Sequence, residues 1–145
     1  MLVSHYPLVN KPSSPKGVEI LRVLDDIKSG KYKREISKIR FQETKAEKDL
    51  LKSKLCGYTF AGTFITRNKV SLKKSSGLAM LDFDHVTNLD KTVDEINNDE
   101  YTFSSFISPS GDGIKVLVKI PPVGDDKTYK EYYNSLMEHY NKYAE

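Results

Sequence analysis

The run Leu81-Asp82-Phe83-Asp84-His85 ends an apolar stretch with two carboxylates two positions apart. On a strand, alternate residues share a face, so Asp82 and Asp84 would project together from Cα atoms roughly 6.6–6.8 Å apart. Two carboxylates held about 6 Å apart repel by roughly 3 kcal/mol at an effective dielectric near 20. A bound cation relieves that repulsion, and oxygen-only ligands at this spacing suit Mg²⁺ or Mn²⁺ completed by substrate phosphates. The same letters also fit a strand running out into solvent, with the acids opening a loop. His85 falls on the opposite face and reads as surface.

A second stretch, Ser108-Pro109-Ser110-Gly111-Asp112-Gly113-Ile114-Lys115, combines turn residues with hydroxyls and a following lysine. Glycines allow backbone N–H groups to turn inward around an anion, Ser108 and Ser110 add donors, and Lys115 can reach a bound phosphate from the next strand. An ordinary hairpin with a favourable Asp-Gly pair has the same composition. The glycine spacing is not that of a Walker loop, and the lysine stands on a strand where that loop needs a helix. Lys73-Lys74-Ser75-Ser76-Gly77 is a weaker phosphate candidate that reads as a loop. Taken together, the acidic pair and the lysine-bearing bend make a layout for a metal-bound triphosphate.

The elements that would position these groups follow from periodicity. Leu78 to Asp84 reads as a buried strand, and Leu89 to Asn97 as a helix with Leu89, Val93 and Ile96 on one side. Tyr101 to Ile107 and Ile114 to Ile120 read as strands, and Tyr129, Tyr133, Leu136, Tyr140 and Tyr143 mark a closing helix. The order β-α-β-β-α is five parts of a ferredoxin-like or RNA-recognition-like unit without its last strand. Either the first half supplies that strand, or the chain is a fragment of a longer one. Upstream, residues 1–16 carry three prolines and read as an extended lead-in. Val18 to Ile27 reads as a helix closed by Ser29-Gly30, Lys31 to Arg40 as a basic connector, Ala46 to Leu55 as a helix, and Tyr58 to Thr66 as a strand. The fold class expected is α+β: a palm-like portion (75–145, its β-α-β-β-α core at 78–145) with a smaller basic α/β portion (1–74) packed on it, the two forming one domain over 1–145.

Composition narrows the function classes. The 145 residues are 38% hydrophobic and 30% charged, enough apolar material for a core. Apolar runs are too short to span a bilayer, the N-terminus lacks a secretory pattern, and the lone Cys56 fits a reducing compartment, so a cytoplasmic protein without membrane partners is expected. Residues 28–74 hold 14 Lys or Arg against 4 acids, whereas residues 75–145 hold 6 against 13. A basic half beside an acidic half suits a polyanion surface next to a cation site, although two halves that neutralise each other have the same signature. Lys69, Lys73 and Lys74 are the candidate nucleic-acid contacts. Lysines outnumber arginines 19 to 4, which favours backbone attraction over base reading.

At these residues a family resemblance appears. Leu-Asp-Phe-Asp (81–84) resembles the first, hhhDhD-type motif of archaeo-eukaryotic primase-polymerase-like proteins. Residues 108–118, Ser-Pro-Ser-Gly-Asp-Gly-Ile-Lys-Val-Leu-Val, resemble their second motif in the VirE N-terminal-like branch, where lysine replaces a nucleotide-contacting histidine. Lys73 to Leu78, Gly62 to Phe64 and the Gly30 to Arg40 stretch are similar to that branch as well. The resemblance implies a nucleotidyltransferase palm of phage and mobile-element replication proteins, fused to or working with helicase-like domains. It implies Asp82 and Asp84 as catalytic metal ligands for Mg²⁺ or Mn²⁺. Ser110, Gly111, Gly113 and Lys115 would hold the nucleotide phosphates, with Ser108 in the same bend. The family's third motif has no match before Glu145, and Asp125-Asp126 comes too early to be it, so the implied two-metal site is incomplete.

The preferred expectation is therefore DNA replication chemistry: metal-dependent binding of a nucleoside triphosphate and its transfer on a DNA or RNA template. The alternative is a non-catalytic module of the same fold that binds nucleic acid or docks a partner, with Tyr58, Phe60 and Phe64 as either stacking faces or core. A metal-dependent nuclease would use the same carboxylates.

Overall fold

Residues 1–143 are described by the computed structural model, a mixed α/β chain with three small antiparallel sheets and five α-helices. Chain contacts divide it into two units, 1–76 and 77–145.

In the first unit, β1 (Leu2–Tyr6) lies between β2 (Lys16–Glu19) and β3 (Gly57–Thr59). The expected lead-in thus contains the central strand of a sheet. Its pairing partner Thr59 stands opposite Ser4, far along the chain, so no local pattern announces it. Val3 and Tyr6 are fully buried, as are Ile20 and Val23 of α1 (Ile20–Lys28). The expected helix starts two residues later than read because Val18 is spent on β2, where it faces Val3. The expected basic connector is α2 (Lys33–Phe41). Lysine and arginine are good helix formers, and Ile39, one of only two isoleucines there, is completely buried.

Helix α3 (Lys45–Lys52) begins at a reciprocal cap: Thr44 Oγ1 accepts from the Glu47 N–H, and Glu47 accepts from the Thr44 N–H. The strand read over 58–66 is broken into β3 and β4 (Gly62–Phe64), and β4 pairs with β5 (Leu72–Ser75). Lys73 and Lys74, read as loop, are therefore on a strand. A Cβ at Gly62 would lie 2.2 Å from the Lys74 carbonyl oxygen, so only glycine permits that approach.

The second unit follows its pattern more closely. It runs β6 (Leu78–Phe83), α4 (Leu89–Asn97), β7 (Thr102–Ile107), β8 (Ile114–Lys119) and α5 (Asp126–Tyr140), then a short 3-10 turn at Asn141–Tyr143. The sheet order is β6-β8-β7, with β8 antiparallel to both neighbours. Leu81, Phe83, Ile114, Val116 and Val118 project from one face onto Ile96 of α4 and Tyr140 of α5. Asp82 and Lys115 alternate to the other face, so the period of two that buries the core also presents the charged groups.

Candidate functional site

The β6–β8 register sets Asp82 directly opposite Lys115 and Phe83 opposite Ile114. The Lys115 ammonium donates to Asp82 Oδ2 at 2.7 Å. Asp84 directly follows β6, and both Asp82 and Asp84 are exposed while Leu81 and Phe83 are buried.

The bend from Ser108 to Gly113 joins β7 to β8 and comes back against the end of β6. Its own hydrogen bonds hold it: Ser108 N–H to the Gly113 carbonyl at 2.9 Å, Gly111 N–H to the Ser108 carbonyl at 3.0 Å, and Gly113 N–H to Ser108 Oγ at 3.2 Å. Gly111 adopts φ +88°, a conformation open to glycine at no steric cost. A Cβ at Gly113 would stand 2.7 Å from the Phe83 carbonyl oxygen, 3.1 Å from Ser108 Oγ and 3.4 Å from Asp84 Oδ1. The missing side chain is what lets the bend lie against Asp84.

These bonds correct one expectation. The Gly111 and Gly113 amides are used inside the bend, because a tight turn satisfies its own donors first. In this conformation the glycines serve close approach. Ser108 is buried and braces the bend.

Two residues outside the expected set join it. His85, at φ +55°, brings Nδ1 to 2.9 Å from Asp112 Oδ2, and the Val86 N–H donates to the Asp112 carbonyl at 2.8 Å. The loop after β6 is thereby clipped to the bend. Neither residue type nor spacing announces this clip, because it depends on β6 and β8 being neighbours.

Lys69, Lys73 and Lys74 belong to the first unit, Lys69 between β4 and β5 and the other two on β5, all exposed. Of the aromatic candidates, Phe60 is buried, while Tyr58 and Phe64 are half-buried. Tyr58 packs its ring on His5 and Phe60, and its hydroxyl lies 2.6 Å from that of Tyr32. Burial pushes the Tyr32 phenol up to about 12 and the Tyr58 phenol higher still.

A separate polar cluster ties the second unit's helices together. Asp99, after α4, has a side chain only 4% exposed and accepts from His139 Nε2 and Tyr143 Oη, each at 2.7 Å, and from the Tyr101 N–H at 3.0 Å. Burial alone would raise its carboxyl, but bonds from Tyr143, the Tyr101 amide and His139 outweigh it and hold the group well below the usual carboxylate range.

Residues 50–145 match the family model described as BT4734-like, N-terminal domain, a stretch that covers more than half of the chain and every residue of this site. No curated protein and no solved structure gives a significant match.

Proposed function

The chain belongs to the BT4734-like N-terminal domain family, and we propose that its second unit is a primase-polymerase-like palm that binds a nucleoside triphosphate with a divalent cation. The single observation carrying this reading is the meeting of the Asp82–Lys115 pair on β6 and β8 with a bend whose Gly113 lies against Asp84. The order β6-β8-β7 around α4 supports it, being the arrangement of the first three strands in a ferredoxin-like unit.

The donor set fits magnesium or manganese. Asp82 and Asp84 are exposed and would offer oxygen ligands, and since among the described residues no group of three or more His, Cys, Asp and Glu could hold a metal, the other positions would fall to phosphate and water. Two carboxylates with the remaining positions left to phosphate and water is the usual manner of Mg²⁺ in nucleotide sites. Such an ion, when bound, supplies charge neutralisation at the phosphates. Asp82 and Asp84 would orient it, Ser110 would donate to a phosphate oxygen, and Lys115 would balance the remaining negative charge. The residues' contribution is placement and electrostatics, with no covalent step on a side chain. Template-directed nucleotidyl transfer in a replication protein, with a helicase-like partner in the same or another chain, is the activity this reading entails.

The test is nucleotide binding with and without Mg²⁺. Replacing both Asp82 and Asp84 by Ala should abolish the magnesium-dependent part while the circular dichroism spectrum stays unchanged. Undiminished nucleotide affinity in that double variant rejects the site.

A second reading, a non-catalytic nucleic-acid or partner-docking module, is favoured by the absence, among the described residues, of three or more His, Cys, Asp or Glu grouped to hold a metal, and by the exposed lysines of β5. It requires DNA or RNA association that is independent of metal and steeply weakened by salt. Among the described residues no helix is long and apolar enough to cross a membrane.

A further inference from the structure

Lys115 and Asp82 occupy each other. Their Cα positions are paired across β6 and β8, the ammonium lies 2.7 Å from Oδ2, and the side chains are 23% and 39% exposed. A carboxylate bonded to an ammonium is partly neutralised, so a divalent cation at Asp82 competes with Lys115 for it. An ammonium held by Asp82 is likewise withdrawn from any phosphate at the bend.

We propose that this ion pair is a built-in lock that couples the two ligands of the site. It rests on the nucleotide reading given above and adds a regulation to it. A cation alone competes with Lys115 for Asp82, and a polyphosphate alone competes with Asp82 for Lys115. When both arrive together, the cation takes the carboxylate and the released ammonium takes the phosphate. Each ligand therefore strengthens the other by the same factor, as linkage requires. The device keeps the site from filling with free metal, and it requires only that the Lys115 side chain swing from Asp82 toward the bend.

The experiment titrates Mn²⁺ alone into the 145-residue chain, followed by loss of the free-ion electron paramagnetic resonance signal. Lys115→Met should bind Mn²⁺ roughly 1.5- to fivefold more tightly than the unaltered chain, the range that one ion pair at this exposure allows. Adding Asp82→Asn to that variant should remove the gain. Lys119→Met, which deletes a charge four residues along the same strand, should show little of it. With Mg²⁺ present, Lys115→Met should bind inorganic tripolyphosphate more weakly, opposite in sign to its effect on metal. Lys115→Gln, which keeps a polar tip, repeats the measurement if the methionine variant melts early. Unchanged or weaker Mn²⁺ binding on loss of Lys115, or an equal gain in Lys119→Met, overturns the lock. If the gain appears but neither tripolyphosphate nor a nucleoside triphosphate binds, the competition stands and the nucleotide reading falls. If triphosphate binds with Mg²⁺ and the gain is missing, the reverse holds.

Discussion

Gly113 and Asp99 show how much single residues decide in the second unit. Alanine at 113 would push a methyl group to 2.7 Å from the Phe83 carbonyl, which is backbone in the sheet and cannot turn aside. Gly113→Ala should lower stability by about 1 to 3 kcal/mol, the range for overpacking, and weaken triphosphate binding by displacing the bend. A thermal melt and a nucleotide titration check the two effects, and a variant as stable as the unaltered chain contradicts the close approach. Asp99 titrates at lower pH in the folded chain than in the unfolded one. Its stabilisation is therefore present above the ordinary aspartate value near ~3.9 and is lost as pH falls through the folded-state value. Asp99→Asn should cost about 2 kcal/mol at pH 7, since hydrogen bonds to a charged acceptor are lost. The gap between variant and unaltered chain in denaturant titrations should narrow as the solution is acidified. A gap that stays constant down to strong acid would show that the charge of Asp99 is not what matters.

Elements were legible where caps and periodicity agree. Helix α4 spans the residues its apolar spacing marks, and the Asn88 side chain accepts from the Lys91 N–H at its start. Helix α5 starts at Asp126, behind an Asp125 side chain that accepts from the Thr128 N–H at 2.7 Å, three residues ahead of the first tyrosine of the stripe. Helix α2 escaped notice because its apolar side is narrow, and β5 because two lysines disguise a strand whose partner is β4. The capping box of α3 offers a test at this scale. The helix is eight residues long with none of them buried, so its ends matter more than its packing. Thr44→Ala should cost about 1 kcal/mol, read as a lower denaturation midpoint of the first unit.

For the whole molecule, the charge asymmetry seen in the sequence follows the division into units. The basic stretch 28–74 lies within the first unit and the acidic stretch almost wholly within the second. If the first unit carries nucleic acid, exchanging Lys69, Lys73 and Lys74 for Gln should weaken DNA binding at every sequence alike. The slope of log affinity against log salt should fall in magnitude by about 2 to 3, one phosphate contact per lysine. An unchanged slope would move the contacts elsewhere on the chain.

The sequence alone determined the order β-α-β-β-α of the second unit and the placing of a glycine-rich bend ahead of Lys115. Each is a property of neighbours within a few positions, where a period of two or 3.6 and the demands of a turn leave few choices. Tertiary structure decided what those groups do to one another. That Lys115 pairs with Asp82 and that His85 grips Asp112 depend on β8 lying beside β6. Strand adjacency arises from burying Leu81, Val116 and their neighbours on one core, an energy summed over the whole unit that no local run of residues encodes.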